Sequence, residues 1–150
     1  MAENRWTAYD SIASYLTTEL NSLADNGNKL GAAIDFATAG ADRKLYMDIE
    51  VYLGSVDLSA QTNPALYLWV LGRTDGTNFE DGSDTVNPAR PPDVIIPLRA
   101  FNGVQRVFAK RVLTTPDQGK ILIESQVGGS VALAATLNTM KYYLYSEEFV

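Results

Sequence analysis

The chain has 150 residues, 46% of them hydrophobic, with 18 acidic against 12 basic side chains, a formal charge of −6, and neither cysteine nor histidine. This is the length of one domain, which can bury roughly 70% of the surface its unfolded form exposes and needs no covalent or metal staple. The two missing residue types exclude disulfides, thiolate catalysis, Cys- or His-ligated metals, catalytic triads and histidine general bases. The acidic balance opposes non-specific association with nucleic acid.

No apolar run approaches the ~18–20 residues of a membrane span, and the opening Met-Ala-Glu-Asn-Arg-Trp lacks the apolar centre of a signal peptide. The expectation is an acidic protein made in a cytoplasm, with no membrane, nucleic acid or cofactor among its partners. Residues 1–10 carry only Trp6 and Tyr9 as large apolar groups and read as an arm held by a partner surface. Residues 11–150 read as a single domain.

Ile12, Leu16, Leu20 and Leu23 follow at spacings of 4, 4 and 3, which predicts one apolar stripe on a helix. Asp10 or Ser11 would cap it and Gly27 would stop it. The β-branched pair Thr17-Thr18 weakens that helix, and the alternative is a strand over 14–20. From residue 31 the period becomes two. Leu45, Met47, Ile49, Val51 and Leu53 alternate with Tyr46, Asp48, Glu50 and Tyr52, so the strand over 45–53 should bury its odd-numbered residues.

Residues 65–73 are apolar on both faces, as in a central strand covered on both sides. Further strands are predicted over 94–100, 106–114, 120–127 and 139–145, with a shorter one over 31–36. Turn-rich segments separate them at 63–64, 75–92, 102–103, 115–119 and 128–129. No helical pattern of crossover length joins any two strands, which argues against parallel βαβ units. The fold class is mainly β: an antiparallel β-sandwich or barrel with a short N-terminal helical or extended segment.

Four constellations bear on chemistry. Asp75, Asn78, Glu80, Asp81 and Asp84 fall within ten residues, an oxygen density that suits calcium, yet the spacing is not that of an EF-hand. The expectation is a structural loop without metal. Carboxylate pairs (Glu80 with Asp81 or Asp84, Asp48 with Glu50) are the only candidates for histidine-free glycoside hydrolysis, and acidic residues alternating along a strand ordinarily form its wet face.

Arg99, Arg106, Lys110 and Arg111 form a basic run, whereas residues 75–93 hold five acids against the single base Arg90. That asymmetry suggests pairing between copies or with a charged partner. Trp6, Tyr9, Arg99, Arg106, Lys110 and Arg111 are therefore the candidate interface residues. Finally, Tyr46, Tyr52, Tyr67, Trp69, Tyr142, Tyr143 and Tyr145 could stack on sugar rings or fill an interface.

Several segments, in this order, resemble small virion structural proteins of tailed bacteriophages and prophages. They are Leu-Thr-Thr-Glu-Leu-Asn-Ser-Leu-Ala (16–24), Leu-Tyr-Leu-Trp (66–69) and Asp-Gly-Thr-Asn-Phe-Glu-Asp-Gly (75–82). Gln105-Arg106 opening a strand, a Thr-Pro turn before Lys120-Ile-Leu-Ile-Glu, and Leu137-Asn138-Thr139-Met-Lys complete the set. The resemblance spans about residues 14 to 145, and departs from the pattern where Thr115-Pro116-Asp-Gln-Gly replaces a Pro-Pro. It implies an antiparallel β-sandwich of jelly-roll type. It also implies a non-enzymatic decoration or cement protein on the outer surface of a phage head, whose partners are the major capsid protein and other copies of itself. The alternative expectation is a carbohydrate-binding sandwich on a tail or fibre.

Overall fold

The computed structural model describes residues 4–6, 10–37 and 43–149. In chain order its strands are β1 (Asn4–Trp6), β2 (Ala13–Leu16), β3 (Asn28–Leu30), β4 (Ile34–Asp35), β5 (Tyr46–Asp57) and β6 (Ala65–Gly72). They continue with β7 (Val94–Pro97), β8 (Asn102–Leu113), β9 (Gln118–Gln126), β10 (Thr139–Tyr145) and β11 (Glu147–Phe149). Two antiparallel sheets face each other as a β-sandwich. One has four strands in the order β2-β10-β5-β8; the other runs β3-β9-β6-β7, with β4 also on β9. The backbones of β1 and β11 form a separate ribbon, Trp6 opposite Glu147, so this part of the 1–10 segment lies against the other end of the chain.

The core lies between the sheets. Met47, Ile49, Val51 and Leu53 of β5 are wholly buried, with Leu66 and Leu68 of β6, Ile121 and Ile123 of β9, and Met140 of β10. Each contributes about 1.5–3 kcal/mol by leaving water. The alternation over 45–53 holds except at its first residue: Leu45 precedes the strand and is only half-buried. Asp48 and Glu50 point outward and are half-buried. Central β6 is covered on both faces as its composition demands, and Trp69 and Leu71 pack with Leu122 of β9 in a second cluster outside the sheet.

The helix over 10–27 does not form; the described residues contain no helix. Ala13–Leu16 is strand β2, and tight turns follow. Leu16, Leu20 and Leu23 are buried as the stripe requires, but Ile12 is exposed. Along itself the backbone makes only isolated turn bonds, such as Asn21 N–H to Thr18 and Gly27 N–H to Ala24, and it is tied across the molecule: Ser22 N–H donates to Ala134, Asp25 N–H to Val131, and Leu133 N–H to the Leu23 carbonyl. Ser22 and Asn26 sit at φ 56 and 58, a left-handed backbone that interrupts a helix. Asn138 locks the arrangement. Its wholly buried amide donates to the Leu20 and Ala134 carbonyls and the Asn21 side chain, and accepts from Gly54 N–H at 3.0 Å.

Smaller differences follow pairing. The strand over 94–100 stops at Pro97, the turn at 102–103 is instead the start of β8, and the candidate over 31–36 shrinks to β4, with the unforeseen β3 just before it.

Candidate interaction surface

The acidic segment is a cover. Residues 75–93 lie over the outer face of the five-stranded sheet, where Glu80, Asp84, Asn87, Arg90 and Asp93 help to hold them. Arg90 grips Glu80 in bidentate fashion (2.6 and 2.9 Å), pairs with Asp93 at 2.6 Å and donates to the Val70 carbonyl. Its own carbonyl accepts the Trp69 indole N–H at 3.0 Å. Glu80 and then Asp93 keep the Arg90 guanidinium charged far above any accessible pH. Asp84 accepts the Leu30 N–H and the Lys29 ammonium at 2.8 and 3.0 Å, which together, the N–H foremost, depress its pKa. Asn87 bridges Asn28 and Glu124.

Asp75, at the start of the segment, is held down to about 2 by the N–H groups of Asn78 and Thr77 and then by the Asn78 amide, the signature of an Asx turn. Among the described residues, no three acidic side chains converge on one point that would hold a metal. Of the carboxylates weighed for hydrolysis, Glu80 and Asp84 are occupied by these cations. Asp48 receives the hydroxyls of Tyr143 and Tyr145 at 2.8 and 2.9 Å and the Arg111 N–H at 2.8 Å. Glu50 is 3.5 Å from Arg106.

The outer face of the four-stranded sheet has no such cover among the described residues. Arg106, Phe108 and Lys110 project from β8, exposed, with Val104 before them and Leu113 after. Val107 and Ala109 turn inward, as the alternation requires. A β-bulge interrupts the strand: Met47 pairs with Val112 and Ile49 with Ala109, so Lys110 and Arg111 together face Asp48. Arg111 adopts φ 55 there, which lets both cations point to solvent. Its guanidinium meets Glu147 at 2.7 Å and lies over the Tyr46 ring at 5.0 Å.

Three of the four predicted basic residues thus share one strand. Arg99 lies in the β7–β8 connection, stacked on Phe101 at 4.8 Å, with its backbone N–H and carbonyl both held by the buried Gln105 side chain. Of the candidate arm residues, Trp6 contributes its backbone to β1, and Tyr9 is outside the described residues.

The aromatic set divides by face. Tyr142 turns inward, edge-on to Tyr15 at 5.8 Å, and Tyr67 and Trp69 lie at the covered face. Tyr46, Tyr52, Tyr143 and Tyr145 are on the uncovered face, where Arg106 stacks over Tyr52 at 5.4 Å. Burial and then the Asp48 carboxylate push the Tyr145 hydroxyl up to about 12. A shallow groove of about 470 Å³ crosses this face between Ile12, Glu50, Phe108, Lys141 and Tyr143.

Sequence reasoning missed Arg90 and Asn138, whose side chains each take part in four or more hydrogen bonds. The signal for Arg90 was its isolation as the one base in an acidic run.

No protein-family model matches the chain, and no curated protein sequence matches it.

Proposed function

We propose that this chain is a non-enzymatic structural protein of a tailed-phage virion: a capsid decoration or cement protein of jelly-roll fold. It is made in the host cytoplasm and sits on the outer surface of the head, where homo-oligomers bridge major capsid subunits without any cofactor. The nested pairing of strands supports the jelly-roll reading. β2 pairs with β10, β3 with β9, β5 with β8 and β6 with β7, the pattern of one long antiparallel ribbon doubled on itself and wrapped into two sheets.

A fold does not choose a function, so the surface has to carry the reading. The observation that carries it is the division of labour between faces. The carboxylates at 75–93 that bear on chemistry are largely committed to the protein's own cover, while the opposite sheet presents Val104, Phe108 and Leu113 to solvent among cations. Such a surface suits docking rather than turnover. Many copies, each touching more than one capsid subunit, would sum modest contacts through avidity.

Quantitative mass spectrometry of purified heads tests this. A cement protein is present at hundreds of copies, and adding it back to stripped heads protects them against heat. A handful of copies, located on the tail, removes the reading. Comparing full-length protein with a variant lacking residues 1–10 then tests whether the arm contributes.

The alternative is a carbohydrate-binding module on a tail or fibre, which the groove beside Tyr143 and Phe108 favours. Against it, arginines stack on Tyr46 and Tyr52, and Asp48 holds the hydroxyls of Tyr143 and Tyr145, so these rings are not free platforms. Retention on host polysaccharide would restore it.

A further inference from the structure

The two sheets end on the same side of the sandwich, in strands β7 and β8, which touch. Among the described residues, no strand pairs with the outer edge of β8. Of the seven exposed large hydrophobic side chains among the described residues, four lie on these two strands: Ile95 (55% exposed), Val104 (51%), Phe108 (54%) and Leu113 (69%). The opposite side is closed. There the Tyr15 hydroxyl crosses from one sheet to the other, accepting the Ile121 N–H at 2.8 Å and donating to the Ala32 carbonyl at 2.7 Å.

The edge strands on that closed side are also short. β2 has 4 residues, β3 has 3 and β4 has 2, whereas β8 has 12, an unpaired edge about 40 Å long. A long free edge with apolar neighbours is a template for another strand.

We propose that the occupant is a second copy of the chain, with its β8 antiparallel to the first about a two-fold axis at Val107, so that the two four-stranded sheets run on as one. This does not rest on the capsid reading. Residues facing each other across antiparallel strands point to the same face, so a two-fold axis keeps the sheets in phase only when it passes midway between a residue and its own copy.

Charge then selects the register. An axis at Arg106 sets two arginines face to face, and an axis at Phe108 sets Arg106 against Lys110; both place like charges opposite, which is unfavourable. An axis at Gln105 puts Phe108 against Asn102, at the strand's end, and an axis at Ala109 falls beside the bulge and sets the outward Arg106 against the inward Val112. An axis at Val107 sets Arg106 against Phe108 and Val104 against Lys110, so every cation before the bulge meets an apolar or aromatic side chain. The inward-facing Val107 meets its own copy, continuing the core face of the sheet.

The chain has no cysteine, so Val107→Cys introduces its only thiol. On the axis it lies about 4.5–5.5 Å, Cα to Cα, from its copy, within disulfide reach. Under mild oxidation Val107→Cys forms a covalent dimer, while Leu137→Cys, exposed on a distant connection, does not. In sedimentation the wild-type chain is a dimer. Phe108→Lys, at an exposed position where folding is preserved, weakens the dimer about tenfold by facing Lys with Arg106. Adding Arg106→Asp to that variant restores it.

A wild-type chain that stays monomeric at millimolar concentration overturns the proposal. So does a dimer that neither links through Val107→Cys nor responds to Phe108→Lys, which would lie on another surface, and so does failure of either test alone. A monomer whose Phe108→Lys variant no longer binds heads would assign the edge to a different partner, and would also overturn it.

Discussion

The two outer faces of the sandwich are opposites. On the five-stranded sheet, residues 75–93 bury Trp69, Leu71 and Leu122 beneath a polar network centred on Arg90. On the four-stranded sheet, Phe108, Val104 and Leu113 stand in solvent. Both faces carry aromatic residues on outward positions, Tyr67 and Trp69 on one and Tyr46, Tyr52 and Tyr143 on the other. What differs is whether the chain supplies its own cover. Where it does, acidic residues serve the fold; where it does not, apolar side chains remain available to a partner.

The largest effect expected is from breaking what both faces share. Ile49→Asp places an unpaired carboxylate between the sheets at a wholly buried position. That cost is comparable to the entire ~5–15 kcal/mol stability of a domain, so no soluble folded protein should be recovered. A variant with the wild-type melting temperature would mean that the register of β5 is wrong.

Next comes the covered face. Trp69→Ala removes a side chain only 3% exposed together with its bond to the Arg90 carbonyl and should cost about 3–5 kcal/mol in chemical denaturation. Proteolysis within 75–93 should rise with it. A loss below about 1 kcal/mol would show that the cover is not seated on Trp69.

Alkaline pH probes the remaining anchors. Burial raises the hydroxyls of Tyr15 and Tyr145 from 10.0 to about 12, with the Asp48 bond adding to the effect at Tyr145. A pKa raised on folding means that the native state binds the proton more tightly. The stabilisation is therefore complete below pH 10 and is lost as pH rises through 12. Urea midpoints should fall across that interval, and less steeply in Tyr145→Phe; an unchanged slope would remove Tyr145 from the account.

The smallest effect sharpens the contrast. Phe108→Ser, on the bare face, should change stability by no more than about 0.5 kcal/mol. A cost like that of Trp69→Ala would show that this face is part of the fold.

Strands were legible wherever residues alternate. β10 falls over the expected residues, and β5 and β8 over most of theirs, because period two is imposed by the backbone and recurs within a few residues; β6 was legible as an apolar run between turns, and β9 also covers most of its expected residues. The expected helix failed for the complementary reason. Leu16, Leu20 and Leu23 are as apolar as a helical stripe needs, but their neighbours' backbone bonds go to residues 131–134, and nothing local announces a partner more than a hundred residues away. The bulge that turns both Lys110 and Arg111 outward depends likewise on Asp48, supplied by β5.

The candidate surface was half legible. Arg106, Lys110 and Arg111 could be read as a cationic stripe. Which acids were free to answer them could not, since Arg90 and Lys29 reach Glu80, Asp93 and Asp84 only after the chain folds back.

By itself, then, the sequence determined the kind of element over most of the chain, the inward residues of β5 from Met47 on, the covering of β6 on both faces, and the absence of histidine and thiol side chains. These follow from residue type and from contacts between near neighbours. Tertiary structure alone decided which strands lie side by side, that residues 13–16 join a sheet, and which of two similar sheet faces is covered. Those outcomes turn on the burial and hydrogen bonding of groups far apart in the chain, where the contacts that repay the entropy of loop closure exist only once the whole fold has formed.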